Sequence, residues 1–319
     1  MITKRITKSE LLRLLSNPTL FQHPSWLNAI EEGLGYKCFG LLTLCKGIPS
    51  CLNIFFESRK AGFFKLAGSP LPGSFTPYLE PIWLEDMNDS TKIDVIIDQN
   101  EFLMKKGFSF IERRFNKTSK LFSSVNFQDF EISSPETYVL PVEGDEDHMW
   151  NNMKGRSRNM IRKAQKSGVV IREGKGSQKE LREFYSMLIS VFEKSGAKPP
   201  HPFSLYESIV KYLKPESRLL ILLAKKEGRI ISTGFFVHDL VEIHFLSGAS
   251  WPEAYKTGAN NLIQWHVIIF ALQHNIKAYD LGGKGIKSID KFKASFGGVT
   301  HNYLKLKWTT RIARFAEHG

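Results

Sequence analysis

The stretch that decides the fold covers residues 242–298 and reads EIHFLSGASWPEAYKTGANNLIQWHVIIFALQHNIKAYDLGGKGIKSIDKFKASFGG. Residues 241–247 are rich in β-branched and aromatic side chains and predict a strand, whereas the apolar spacing of 262–270 predicts a helix. Residues 278–281 predict a second strand, parallel to the first because a helix separates the two. Such a β-α-β unit bares backbone amides at its helix N-terminus, where an anion such as phosphate can bind.

The segments around this stretch extend the pattern to the whole chain. Upstream, the second half shows one strand, two helices and two antiparallel strands, at residues 169–173, 177–194, 203–213, 219–225 and 230–238. The first half also alternates predicted helices and strands. The sequence therefore predicts an α/β (α+β) fold with mixed central sheets flanked by helices, in two domains, 1–145 and 146–319.

Charge is divided unevenly between these two halves. Residues 1–145 carry 16 Lys and Arg against 17 Asp and Glu, whereas residues 146–319 carry 28 against 15. The net charge of +12 therefore belongs to the second half, which predicts an anionic partner there. The candidates are a nucleotide-linked or lipid-linked substrate, tRNA and an anionic membrane surface; a solvated basic surface is the alternative.

Composition limits the cellular setting. The three cysteines are odd in number, lack C-x-x-C spacing and lie in an apolar region, which is typical of reduced core thiols. No secretory signal is recognisable, and the most apolar run, 262–272, is too short for a bilayer span. We expect a cytoplasmic protein, with peripheral contact at the inner face of the membrane as a further option. No metal-ligand spacing is present.

A basic segment opens the second half. Residues 145–168 predict one helix, and between 149 and 172 the sequence has no acidic residue. Lys154, Arg158, Arg162 and Lys166 recur every four residues, so that they share one helix face, with Arg156 beside them. Two interpretations remain open, a phosphate-binding ridge and a solvated face. In the first half, Tyr78 follows a long Gly/Pro-rich loop, 68–77, and is a candidate for substrate contact.

These motifs resemble the FemAB-like branch of the GNAT acyltransferase superfamily, which includes peptidoglycan bridge-forming aminoacyltransferases. The resemblance rests on segments that span most of the chain. They are the N-terminal segment 17–26, the basic segment 150–168, and 248–250, 255–258, Trp265, 279–283 and 292–297 in the stretch quoted above. It implies two tandem GNAT-like domains, with the acyl donor bound by the second.

The resemblance also implies roles for particular residues. Phe292 and Lys293 match the Phe-Lys pair of an F-K-x-x-F-G segment, which in this family lies beside the reacting carbonyl, so Lys293 is the first candidate for a catalytic cation. Lys291 is expected to be exposed. Asp280 ends a predicted strand at the edge where α/β sheets place ligands; it either accepts the amine's proton or caps the turn at Gly282.

The predicted donor loop departs from the usual acyl-CoA pattern. That loop normally contains two small residues, whereas this chain has one glycine and a bulky Asn260. We predict that the loop binds the donor through Tyr255, Lys256, Thr257, Gly258, Ala259 and Asn260. Fewer glycines restrict the approach of backbone to a pyrophosphate. This favours aminoacyl-tRNA over acyl-CoA as the co-substrate, with no tightly bound cofactor.

Motifs for covalent catalysis are missing from the sequence. It has no G-x-S-x-G motif and no plausible Cys-His pair, which favours direct acyl transfer to an amine. The first hypothesis is transfer of an acyl or aminoacyl group to an amine of a cell-envelope peptidoglycan or glycan precursor. The alternatives are acyl-CoA-dependent N-acetylation of a sugar or small amine, and a non-catalytic RNA- or membrane-binding protein. The F-K-x-x-F-G segment favours an enzyme.

Overall fold

The computed structural model describes residues 1–116, 129–194 and 196–315, and its chain divides into two compact units. The first unit comprises Met1–Pro135 together with the chain from Asn302 onward, and the second comprises Glu136–His301. The boundary predicted after residue 145 falls inside the second unit. Both units contain a mixed sheet flanked by helices, so the predicted fold class is confirmed.

The first unit is built around one long sheet. Its elements are β1 (Ile2–Thr7), α1 (Lys8–Leu14), α2 (Pro24–Leu34), β2 (Lys37–Cys45), β3 (Ile48–Lys60), β4 (Phe64–Ser69), β5 (Ile82–Trp83), α3 (Asp89–Lys105), β6 (Phe110–Phe115) and β7 (Glu131–Ser133). In the described part, the sheet order is β1-β2-β3-β4-β6, then a strand from the C-terminal end, then β7. Strands β4 and β6 run parallel because α3 connects them.

The second unit contains the stretch that decides the fold. Its elements are β8 (Glu136–Pro141), α4 (Glu146–Asn152), α5 (Gly155–Lys166), β9 (Val170–Glu173), α6 (Gln178–Glu193), α7 (Phe203–Leu213), β10 (Leu219–Lys226), β11 (Arg229–His238), β12 (Glu242–Ser250), α8 (Ala259–Gln273), β13 (Ala278–Gly283), α9 (Lys287–Ala294) and β14 (Val299–Asn302). The chain then returns to the first unit as β15 (Leu304–Thr309) and α10 (Arg311–Phe315).

The second sheet has the order β14-β8-β13-β12-β11-β10-β9. Its parallel pair is β12 with β13, as the intervening helix α8 requires. Helix α8 is buried along most of its length, and Trp265 on it meets Trp150 of α4 edge to face at 5.0 Å. The apolar helix predicted from 262–272 therefore forms the centre of this unit's core.

The two units repeat one order of elements. In each, a strand, two helices and three antiparallel strands are followed by a helix and a parallel strand: β1-α1-α2-β2-β3-β4-α3-β6 in the first unit and β9-α6-α7-β10-β11-β12-α8-β13 in the second. The similarity of the two halves is thus visible in topology although the sequences share no evident identities.

The prediction of one continuous helix at the start of the second half is wrong. Residues 145–168 form two helices, because α4 ends at Asn152 and α5 begins at Gly155. Met153 turns its side chain into the core in extended conformation, and the amide of Lys154 donates to the carbonyl of Ser295 at 2.9 Å. Tertiary contacts therefore break a helix that the local sequence favours.

Candidate acyl-transfer site

Strands β12 and β13 separate in the middle of the second sheet. They pair only from Glu242–Ala278 to His244–Asp280, after which β12 continues beside β11 and β13 beside β8. Both strands are irregular at this point, since the register shifts between Phe245 and Ser247 on β12 and between Asp280 and Gly282 on β13. Bulges of this kind bend strands next to functional sites. The parallel pairing of the two strands therefore ends at His244 and Asp280, which we call the strand separation.

A cavity of about 380 Å³ lies at the start of α8. Among the residues that line it are three of the predicted donor loop, two of the F-K-x-x-F-G region and one of the basic segment: Tyr255, Gly258, Asn260, Lys291, Phe292 and Arg156. We call it the α8 cavity. The structure thus brings three motifs together, although the first and the last of them are more than a hundred residues apart in the sequence.

Gly258 shapes the entry to α8. Its φ of +87° is left-handed, and a Cβ at this position would lie 2.3 Å from the carbonyl oxygen of Met160 on α5. Helix α8 has no side-chain cap and no acidic residue in its first turn. Its positive helix end therefore faces the cavity without a compensating negative charge, which suits an anion.

The donor loop accommodates its bulky residue. The side-chain oxygen of Asn260 accepts hydrogen bonds from Ser232 at 2.6 Å and from Ser250 at 2.8 Å, so it is held against the ends of β11 and β12. Tyr255 and Lys256 are exposed on a short 3-10 helix, Pro252–Lys256. Asn260 nevertheless remains part of the wall of the α8 cavity. Thr257 accepts from the amide of Ala259 at 3.1 Å.

Lys293 is buried on α9, at 8% exposure. Its Nζ donates to the carbonyl oxygens of Gly282 at 2.9 Å and Gly283 at 2.5 Å, and therefore fastens the end of β13 to α9. Burial lowers the pKa of this ammonium, while the charges of Asp280 and Asp290 oppose that shift. An ammonium has three N–H donors, so two are engaged by the backbone.

Asp280 is buried at the last parallel pair of the sheet. Its Oδ1 accepts from the hydroxyl of Thr137 at 2.5 Å and from the amide of Gly282 at 2.8 Å. Its Oδ2 lies 3.9 Å from Nδ1 of His244, and Nε2 of the same imidazole lies 3.1 Å from Glu242. Asp280 thus caps the glycine turn, as one interpretation predicts, and also ends a row of titratable groups.

The predicted basic ridge divides in two. Arg156 lines the α8 cavity, whereas Arg158 donates to Asn151 at 3.4 Å and Arg162 stacks on Trp150 at 5.2 Å. The last two side chains therefore contact α4 and its end. Arg156 lies two residues before Arg158, so helix geometry places the two side chains on different faces of α5.

A second cavity, of about 520 Å³, lies between the start of α5 and α9. Its lining includes Lys154, Arg156, Lys287 and Lys291, with Asp290 as the single carboxylate. We call it the basic cavity. Lys291 is exposed, as expected, but it lies at the edge of both cavities.

Sequence reasoning missed several residues that build this site. Ser157 and Ser295 join α5 to α9 through a buried hydroxyl contact of 2.6 Å, and Thr137 reaches Asp280 from β8. Single serines and threonines carry no periodic signal. His244 was detectable, since it alternates with Glu242 on a predicted strand and so shares its face.

The first unit differs at the positions equivalent to this site. Helix α3 is capped by Asn88, whose side chain accepts from Thr91 at 2.9 Å, and Asp89 follows in its first turn. At the last parallel pair, Arg113 takes the place that Asp280 has in the second unit, and it is buried against Gln99 and Asn100 of α3. The first unit therefore lacks the anion-accepting helix start.

Tyr78 belongs to the first unit. It is half-buried, and its ring meets Phe21 edge to face at 5.8 Å. Within the described ranges, no group of three or more His, Cys, Asp or Glu side chains could hold a metal ion. No helix in those ranges is long and apolar enough to cross a membrane.

Comparison with known proteins identifies the domain family of the second unit. Residues 151–294 match the family of acetyltransferase (GNAT) domains. The second unit therefore contains a GNAT domain, and this domain identifies the protein as an acyltransferase. The match covers α5 through α9, which supply most of the residues that line the two cavities. The sequence has no significant match among curated proteins.

Solved structures resemble the whole chain. The crystal structure of FemX superposes with a TM-score of 0.71 at 13% identity, over 99% of each chain. A tandem GNAT protein from the clavulanic acid biosynthesis pathway gives 0.58 at 7% identity over 97% of this chain and 98% of that one. L-PGS from Bacillus licheniformis gives 0.55 at 12% identity over 95% and 91%. These likenesses confirm the predicted fold of two tandem GNAT-like domains, which the FemX structure shares.

Proposed function

We propose that this chain transfers an acyl or aminoacyl group directly from an activated donor in the α8 cavity to an amine of a cell-envelope precursor. One observation carries the proposal. The α8 cavity combines a helix start without a negative cap, Arg156, and Phe292 of the F-K-x-x-F-G segment. An anionic donor would place its phosphates at this helix start and its acyl group towards the strand separation of β12 and β13.

In the proposed reaction, the amine nitrogen attacks the acyl carbonyl carbon, and the bond from that carbon to sulfur or oxygen of the donor breaks. Negative charge develops first on the carbonyl oxygen and then on the leaving atom. Lys293 would stabilise this charge with the N–H that Gly282 and Gly283 do not use. The leaving atom ends as a thiol or hydroxyl after it takes up a proton.

The amine must also lose a proton. Asp280 stands at the last parallel pair, and His244 and Glu242 continue from it along β12. In our proposal this row accepts the amine's proton and conducts it away from the reacting carbonyl. The buried position of Asp280 keeps its carboxylate fixed through Thr137 and Gly282.

The donor belongs to one of two classes, an acyl-CoA or an aminoacyl-tRNA. GNAT domains use acyl-CoA as co-substrate, which supports the first class. Similarity in fold to FemX keeps the aminoacyl donor as the second candidate. The likeness in fold to FemX and the basic charge of the second half support an envelope precursor as the acceptor.

Calorimetric titration tests donor binding before any acceptor is known. We would titrate the full chain with CoA, acetyl-CoA and an aminoacylated RNA hairpin, and repeat the titrations with Arg156→Ala. We expect one donor class to bind and the variant to bind it at least fivefold more weakly, since one charge-assisted contact contributes on this order. If none of the three ligands binds, the α8 cavity is not a donor site.

A further inference from the structure

The segment that follows β13 exposes both apolar and cationic side chains. Ile286 is 62% exposed and Ile289 is 44% exposed, although both are large hydrophobic residues. Lys284, Lys287 and Lys291 alternate with them and are also exposed. A cluster of isoleucine and lysine at a surface is the composition of segments that lie in the headgroup region of a bilayer.

The neighbouring basic cavity adds to this surface. Gly285 and Lys287, on either side of Ile286, line its wall together with Lys154 and Arg156. Its single carboxylate, Asp290, accepts from the amide of Gly285 at 3.2 Å. Lys284 pairs with Glu136 at 2.7 Å. In this lining four positive side chains, those of Lys154, Arg156, Lys287 and Lys291, face one carboxylate, so the cavity has an excess of positive charge.

We infer that the basic cavity and the exposed pair Ile286 and Ile289 form a docking surface for an anionic phospholipid bilayer. Lipid phosphates would occupy the basic cavity, and the two isoleucines would enter the boundary between headgroups and acyl chains. The isoleucines favour a bilayer over a nucleic acid or a soluble phosphate, because neither of those offers an apolar phase to bury them.

This inference deepens the proposed function and rests on it in one respect only. A docked bilayer would bring the α8 cavity, which shares Arg156 and Lys291 with the basic cavity, close to lipid-linked rather than soluble acceptors. Binding to the bilayer itself does not depend on catalysis. It can therefore be measured without donor or acceptor.

Vesicle cosedimentation of the full chain tests the inference. We compare vesicles of phosphatidylcholine with vesicles containing roughly a third phosphatidylglycerol, at low salt and at about 0.5 M NaCl, where exposed charges are screened. We expect binding to the anionic vesicles only, weakened by salt. Lys154→Ala with Lys287→Ala should lower the partition coefficient about 25-fold, since each lysine near such a surface contributes about fivefold. Ile286→Ser with Ile289→Ser should lower it severalfold.

Two matched pairs in the same chain serve as controls. Leu240 and Val241 are exposed at 87% and 61% but stand beside Asp239 and Glu242, so Leu240→Ser with Val241→Ser should bind as the parent does. Lys4→Ala with Lys163→Ala removes the same two charges from exposed positions outside the two cavities. Circular dichroism establishes that every variant is folded.

Three results would overturn the docking surface. The parent chain could bind both vesicle types equally or neither, the control pairs could weaken binding as much as the test pairs, or millimolar pyrophosphate could abolish binding while the serine pair has no effect. The last result would assign the basic cavity to a soluble phosphate. If the parent chain transfers acyl groups to soluble amines but does not bind vesicles, only this inference is rejected. If the parent chain binds vesicles but transfers no acyl group, the proposed function is rejected.

Discussion

The α-carbon of Gly258 faces the carbonyl oxygen of Met160 so closely that a Cβ would lie 2.3 Å from it. This contact sets α8 against α5 and holds the helix start at the α8 cavity. Two features require glycine at this position. Its φ of +87° is unfavourable for other residues, and the carbonyl oxygen of Met160 leaves no space for a Cβ. The single glycine of the predicted donor loop thus has a packing role as well as a role in ligand access.

Gly258→Ala should destabilise the chain and abolish donor binding. The matched control is Gly168→Ala, because Gly168 has a φ of +76° with no atom near its missing Cβ. The control should cost about 1–2 kcal/mol for the left-handed backbone alone. Gly258→Ala should cost about 1–3 kcal/mol more, because backbone must move. Urea unfolding measures the free energy of unfolding of both variants. Equal losses of stability would mean that α8 and α5 shift apart without cost.

Lys293→Ala should reduce both turnover and stability. Loss of one donor to the developing oxyanion lowers turnover by about 10² to 10³, or roughly 2.7–4 kcal/mol. The carbonyls of Gly282 and Gly283 also lose a charged hydrogen-bond donor, which costs about 1–3 kcal/mol of folding free energy. Lys291→Ala is the control. Since Lys291 is exposed at the edge of the α8 cavity, its loss should raise the donor KM and leave kcat and stability nearly unchanged.

Steady-state kinetics and urea unfolding separate these two effects of Lys293. Lys293→Arg keeps the charge but changes the geometry, so it should recover some stability and little turnover. If Lys293→Ala loses stability and keeps its kcat, the lysine only fastens β13 to α9, and the catalytic role implied by the family resemblance does not hold for this chain.

Among the arginines of α5, Arg156 should dominate anion binding. Arg156→Ala should weaken donor affinity and reduce the salt dependence of RNA binding by about one unit of slope, as for one phosphate contact. Arg158→Ala with Arg162→Ala should have the smaller effect, because these side chains contact Asn151 and Trp150. Titrations at several salt concentrations measure the ranking. The reverse ranking would favour the ridge on residues 154–166 that the sequence predicts.

His201 should make stability depend on pH in a defined window. Burial lowers its pKa to about 4, whereas an unfolded histidine titrates near 6.5. Below about 6.5 the unfolded chain takes up a proton that the folded chain does not, so stability is lost as the pH falls towards 4. For this half-buried group we expect a loss of about 1–2 kcal/mol. His201→Gln should show a shallower decline in urea unfolding between pH 6.5 and 4; an identical decline would contradict the assignment.

The order of elements was predictable because it depends on local patterns. The β-branched run before Ser247, the apolar spacing of α8 and the glycines after Asp280 each occupy a few consecutive residues. The break between α4 and α5 was not predictable, since it depends on Ser295 receiving the amide of Lys154 from a distant part of the chain. Local helix propensity does not include contacts with distant parts of the chain.

The candidate site was also predictable only in part. Motifs identified Gly258, Phe292 and Lys293, and the structure brings all three to α8 and α9. The direction of a side chain within a motif was beyond the sequence. Asn260 turns inward to two serine hydroxyls, and Arg162 turns to a tryptophan, because partners on other elements determine these directions.

Transfer of label from donor to amine tests the central claim most directly. The full chain would be incubated with isotopically labelled acetyl-CoA or labelled aminoacyl-tRNA and with amine-bearing envelope precursors, and both products and protein would be analysed by mass spectrometry. We predict that label passes to the amine nitrogen, that no acyl-enzyme accumulates, and that Lys293→Ala lowers the rate about 100-fold or more. Label on the protein, no transfer from either donor class, or equal transfer by the parent and Lys293→Ala would contradict direct acyl transfer at this site.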